Sequence, residues 1–167
     1  MTYNIRRLDA SDLPLFRPLR LDALRLHPEA FGSSFEEESQ DPPQELVRRF
    51  LQLPAVTFGG FASEALVGAA GLLMQTRLKT RHKGHVFGVY VDAAHRRGGL
   101  GRALVDAVIE HARDAGLRTL DLTVTVGNDG ARRAYEGQGF TRFATEHRAL
   151  CVDGVFYDTD HMVLNLD

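Results

Sequence analysis

Residues 86–91 form an apolar, strand-like segment that leads through Arg96-Arg97-Gly98-Gly99-Leu100-Gly101 into an amphipathic helical stretch reaching Ala112. This junction fixes a strand–turn–helix unit and creates a place to hold a phosphate. The first N–H groups of a helix have no partners inside it, and the summed peptide dipoles put partial positive charge there. Gly98, Gly99 and Gly101 lack the Cβ atoms that would keep a pyrophosphate away from the backbone. Arg96, Arg97 and Arg102 add full charges and donors suited to phosphate oxygens. A tight reversal flanked by wet arginines would give the same letters, so the run alone leaves both readings open.

Two common nucleotide motifs fail here. Gly99-Leu100-Gly101 begins a dinucleotide fingerprint, but Leu104 stands where its third glycine belongs. No Gly-Lys-Ser/Thr triplet of a P-loop occurs. Nicotinamide and nucleoside triphosphate ligands are therefore disfavoured.

The hydrophobic patterning predicts strands over 3–8, 57–62, 66–75, 86–91, 119–126, 141–151 and 155–166. Residues 119–126 carry the clearest period of two, with Leu120, Leu122, Val124 and Val126 alternating against Thr119, Asp121, Thr123 and Thr125. Helices are predicted over 12–26, 44–53, 100–115 and 129–136, with Gly116 as a C-cap. In the first of these, Leu15, Leu19, Asp22 and Leu26 share one side, and Asp22 interrupts the apolar stripe. Ser63-Glu64-Ala65 and Asp153-Gly154 read as hairpin turns. The acidic run from Ser33 to Pro43 reads as a solvated loop, or else as a wall attracting a cationic substrate. The order β-α-α-β-β-β-α-β-α-β-β predicts an α/β fold with one mixed sheet and helices on its faces.

With 167 residues the chain suits a single domain spanning 1–167, and a formal net charge of -2 gives no broad reason to bind nucleic acid or an anionic membrane. The one cysteine, Cys151, excludes an intrachain disulfide and is expected to serve packing. A polar start without an apolar signal core, and no apolar run of membrane-spanning length, lead to a cytoplasmic expectation. No cluster of Cys, His and carboxylates has metal-ligand spacing, so no metal is expected.

Arg96-x-x-Gly99-x-Gly101 after one strand, and Asn128-x-x-Ala131-x-x-x-Tyr135-x-x-x-Gly139-Phe140 after the next, resemble the GNAT family of acetyl-coenzyme A-dependent N-acetyltransferases. The order of elements resembles it over nearly the whole chain. The resemblance implies a mostly antiparallel central sheet of about seven strands, flanked by about four helices and splayed between the fourth and fifth strands. It also implies acetyl-coenzyme A as acyl donor, its pyrophosphate on the backbone of Arg97, Gly98, Gly99, Leu100, Gly101, Arg102 and Ala103. The pantetheine arm would lie along Val89 and Val91, as an added peptide pairs with a sheet edge. Asn128 would reach that arm or cap its helix, and Ala131 would keep the helix close to the cofactor.

Acetyl transfer from a thioester to an amine needs a neutral nucleophile, a stabilised oxyanion and a proton for the departing thiolate. Tyr135 is the acid that the resemblance implies, since a phenol remains protonated at neutral pH. His85, counted back from Arg96, falls where some members of the family carry a glutamate base, and imidazole suits that role. Glu36, Glu37, Asp121 and His161 are its rivals, and the oxyanion is expected to meet a backbone N–H near Val91. His95, Arg132 and Arg133 read as surface or phosphate-periphery residues. Position in the family fold offers Phe31, Phe35, Glu36, Glu37, Tyr157 and His161 for the acceptor groove. The expected activity is direct transfer to a primary amine, small molecule or peptide/protein, with a homodimer left open. The alternative is a non-catalytic acyl-coenzyme A-binding regulatory module using the same cradle.

Overall fold

A computed structural model describes residues 2–167. Seven strands form one mixed sheet: β1 (Asn4–Arg7), β2 (Ala55–Ala62), β3 (Ala65–Met74), β4 (Lys83–Val91), β5 (Thr119–Thr125), β6 (Thr141–Val152) and β7 (Val155–Asn165). Their spatial order is β1-β2-β3-β4-β5-β7-β6, and every pairing is antiparallel except β4 with β5. The helices are α1 (Leu13–Leu26), α2 (Phe35–Glu38), α3 (Pro43–Leu46), α4 (Leu100–Asp114) and α5 (Asp129–Gly137). Among the described residues no helix is long and apolar enough to cross a membrane.

Two apolar layers cover the sheet. On one face α4 buries Leu100, Leu104, Val105, Val108, Ile109 and Ala112, spaced to form one helical stripe, against Val86, Leu120, Leu122 and Val124. On the other face α1 and the segment around Phe50 pack Phe16, Leu19, Ala23, Leu46 and Phe50 against Phe61, Ala69 and Tyr90. Strands β2 to β4 thus contribute to both layers, whereas β5 is covered on its α4 face and most of β6 is exposed.

Several boundaries differ from the sequence expectation. In α1 the buried face is Phe16, Leu19, Arg20, Ala23 and Leu24, while Leu15 and Leu26 are exposed. The interrupted leucine stripe leaves the face open, and the structure settles it with Leu19 buried and Arg20 in a core position, where Glu38 compensates its charge. The helix expected over 44–53 is α3 continued by a π-helical turn, Val47–Leu51. Part of the acidic loop is helical instead: Ser34 caps α2 by accepting a hydrogen bond from Glu37 N–H. Strand β4 begins at Lys83, so His85 lies within it rather than at its start.

The sheet opens where β4 meets β5. Their ladder holds only Lys83↔Thr119, Gly84↔Leu120 and His85↔Asp121. Beyond His85 the strands separate. A bulge in β4 accompanies the separation: Ala69 faces Tyr90 and Gly71 faces Phe87, so β4 carries one residue more than β3 over this interval. Gly88 within the bulge has φ +61, a conformation that glycine adopts without Cβ strain.

Candidate active site

The divergence of β4 from β5 leaves a cavity of about 570 Å3 lined by both strands and by Tyr135. A neighbouring cavity of about 620 Å3 follows the end of β4 toward Arg96 and shares Ala30, Phe31, Val89, Thr125 and Asn128 with the first. The turn Pro28–Ala30 crosses between them, fastened where Thr125 Oγ1 donates to the Glu29 carbonyl at 2.7 Å. One cleft thus runs from Arg96, four residues before α4, to the point where the strands meet.

The glycine-rich run stands at the outer end of this cleft. Gly99, with φ +81, precedes Leu100, and no side chain caps the first turn of α4. The first N–H groups therefore stay open to an anion. Arg97 also has positive φ, so the backbone reverses twice within three residues, as anion-binding nests do. A Cβ at Gly101 would stand 3.7 Å from Val91 Cγ2, and one at Gly98 3.3 Å from the Tyr3 hydroxyl. Arg96 donates from Nε to the Val91 carbonyl at 2.9 Å and lies 3.0 Å from His27, so it ties the run to the end of β4. Uncapped donors, compact glycines and arginines are a donor set that suits a pyrophosphate.

Past the last ladder pair, the edge of β4 that faces β5 has no strand partner, and Val89 and Val91 line the cleft there. Asn128 caps α5, its Oδ1 accepting from Ala131 N–H at 3.4 Å, and it also lines both cavities. Its amide N–H groups stay available to a ligand. Ala131 and Tyr135 follow on the cleft side of α5. Tyr135 packs edge-on against Phe140, and burial pushes its phenol up to about 12. At neutral pH it can donate a hydrogen bond and cannot serve as a base.

His85 occupies the last ladder position before the split, directly opposite Asp121. The two side chains meet, His85 Nδ1 to Asp121 Oδ1, at 2.5 Å. In the neutral ring, a carboxylate accepting at Nδ1 selects the tautomer with the proton there and leaves Nε2 its lone pair. Strand alternation puts His85 on the face of Phe87, toward α1, and Val86 on the face of α4. Tyr135 belongs to the α4 side. Imidazole and phenol thus approach the split from opposite faces of the sheet.

The residues named for the acceptor groove divide. Phe31 lines both cavities and Tyr157 lines the outer one. Phe35, Glu36 and Glu37 form α2 outside the lining of either cavity, and His161 is occupied by Glu146 at 2.9 Å. Sequence reasoning missed Arg20, Arg48, Arg49 and Phe50, all of which line the cavity at the strand split. Only the arginine interrupting the apolar face of α1 could have signalled them. Asp121, weighed as a rival to His85, is instead its hydrogen-bond partner.

The sequence matches the Acetyltransferase (GNAT) family over residues 21–140. The chain belongs to that family. It is 31% identical over 121 residues to mycothiol acetyltransferase of Segniliparus rotundus, which covers 72% of this chain and 44% of the relative. The chain thus spans less than half the length of that protein. Two solved structures share the fold: a GNAT-family acetyltransferase from Streptococcus pneumoniae, with TM-score 0.83, 23% identity and coverage of 98% of this chain and 99% of that one; and yncA from Salmonella typhimurium with its cofactor acetyl-CoA, with TM-score 0.80, 22% identity and coverage of 100% and 95%.

Proposed function

We propose that residues 1–167 act as one N-acetyltransferase domain that moves the acetyl group of acetyl-coenzyme A directly onto a primary amine. The observation carrying this reading is the His85–Asp121 pair at the point of the split, on the face opposite Tyr135. Acetyl-coenzyme A supplies a thioester carbonyl open to attack and a thiolate that leaves. Gly98 to Ala103 would hold its diphosphate, and Val89, Val91 and Asn128 its amide-bearing arm. Backbone N–H groups on the unpaired edge of β4 are free to donate to the acyl oxygen.

His85 Nε2 accepts the proton of an amine entering from the α1 side, while Asp121 fixes the ring and stabilises the charge that develops on it. Asp121 is thus a positioning residue. Tyr135 donates a hydrogen bond toward the leaving sulfur. A phenol held near 12 keeps its own proton better than a thiol of ordinary pKa about 8.5. The same apolar surroundings raise the thiol as well, which narrows that gap. No cysteine lines the cavity, in keeping with direct transfer rather than a covalent acetyl-enzyme.

Incubation with acetyl-coenzyme A and a panel of amines, followed by free thiol, tests the reading. Amine-dependent thiol release is expected; cofactor binding without turnover for any amine would support the binding-module alternative. Tyr135→Phe should lower kcat roughly tenfold, the equivalent of one hydrogen bond, with cofactor affinity nearly intact. Any alkaline limb below about pH 10 should persist in this variant, because Tyr135 ionises higher. Unchanged kcat under conditions where chemistry limits would remove Tyr135 from the role. Gly99→Glu, which puts a carboxylate beside the diphosphate seat in a backbone with φ +81, should weaken coenzyme A binding by at least about tenfold by calorimetry. Unaltered affinity would refute the cradle.

A further inference from the structure

The acceptor end of the cavity at the strand split has an unusual electrostatic wall. Arg20, Arg48 and Arg49 line it beside Phe31, Phe50 and Phe87, and no carboxylate does. Each guanidinium has a carboxylate partner outside that lining. Glu38 takes Arg20 Nε at 2.8 Å and Nη2 at 3.3 Å. Glu45 takes Arg48 Nε at 3.0 Å and Nη2 at 2.6 Å. Asp41 takes Arg49 Nη1 at 3.1 Å.

These contacts leave Nη1 of Arg20 and Nη1 of Arg48 without a hydrogen-bond partner among the described residues. The Arg20 side chain is only 9% exposed, so an open guanidinium N–H there is costly unless something fills it. No fully buried side-chain nitrogen or oxygen among the described residues lacks a partner, so this Nη1 keeps some accessible surface, and Arg20 is part of the cavity lining. It also reaches the bulge of β4. A Cβ at Gly88 would stand 3.2 Å from Arg20 Nη1, three residues along the strand from His85.

We infer that the acetyl acceptor is a small amine carrying a carboxylate, which Arg20 and Arg48 hold while its amino group faces His85. The inference rests on the acetyltransferase reading and names its substrate class. The open Nη1 groups of Arg20 and Arg48 can each donate to an oxygen of a carboxylate, and Phe31, Phe50 and Phe87 offer an apolar lining to the carbon chain between the two charged ends. A polycationic acceptor, such as a polyamine or a lysine-rich peptide, meets guanidinium N–H groups and no carboxylate in the cavity lining. The acidic stretch does not offset this, because Glu38, its one fully buried carboxylate, is spent on Arg20 and Arg49.

The test uses amino acids of increasing chain length, each beside its own carboxamide and its decarboxylated amine, with spermidine and a lysine-rich peptide as cationic controls. Thiol release gives kcat/KM, and calorimetry on the coenzyme A-saturated protein gives affinity independently of turnover. The best acid should exceed its carboxamide by at least about tenfold, the scale of one charged hydrogen bond. Arg48→Ala, at a side chain that is 68% exposed, should lower that ratio, as should Arg20→Lys, which keeps a charge beside Glu38. A ratio at or below one in the native protein, a preference for the cationic controls, or a ratio unchanged by Arg48→Ala overturns the inference. If no amine is acetylated while acids still bind selectively and through Arg48, the transferase reading fails and the carboxylate site stands.

Discussion

Replacing His85 by glutamine should lower kcat/KM for acetyl transfer by roughly 10²- to 10⁴-fold, the range associated with a positioned general base. Glutamine retains a hydrogen-bonding group near Asp121 but has no basic nitrogen, so orientation can survive while proton acceptance is lost. Asp121→Asn should show the same direction with a smaller loss in kcat, because an amide can present its N–H to Nδ1 and select the wrong tautomer. Acetyl-coenzyme A affinity should hold in both variants, since neither residue lies on the phosphate side of the cleft. A His85→Gln protein with native kcat/KM would show that the amine loses its proton by another route.

The two ends of this cleft were not equally legible. The phosphate-binding end is local in sequence: Arg96 to Gly101 must turn directly into α4, and glycines at fixed offsets announce that geometry. Asn128 and Tyr135 are spaced so that α5 brings both to the cleft. The β6–β7 hairpin was equally plain, because Asp153 and Gly154 both adopt positive φ at its turn. His85 and Asp121 lie 36 residues apart, and each can be suspected singly. Their partnership requires the parallel register of β4 and β5, which no local pattern encodes. Arg20 and Glu38 present the harder case, since a charged residue on a helix face reads as solvent-exposed until its partner is known. Without that partner in view, neither the core face of α1 nor the arginine wall is legible in the sequence.

Glu38→Ala should destabilise the protein by about 3–5 kcal/mol, the cost of stranding a buried charge. For a domain of this size the loss corresponds to a fall in Tm of roughly 10 °C. Glu38 is 1% exposed and compensates two cations, Arg20 at 2.8 Å and Arg49 at 3.4 Å. Phe50 lies between those same guanidinium groups, 4.8 Å from Arg20 and 4.7 Å from Arg49, so repulsion between them would also disturb an aromatic core contact. Removing Arg20 together with its partner leaves no stranded charge there, because Arg49 still has Asp41. The double variant Arg20→Met/Glu38→Leu should therefore recover most of the stability in chemical denaturation, as apolar replacements of buried ion pairs often do. A Glu38→Ala loss below about 1 kcal/mol would instead place this pair among ordinary surface salt bridges. The double variant also separates the two roles of Arg20. A fold supported by apolar packing at both positions should remain intact while discrimination between an acid and its carboxamide falls, because the open Nη1 is gone. Retention of a buried ion pair where hydrophobic packing would serve stability equally well is then explained by what the unpaired edge of the guanidinium does for the acceptor.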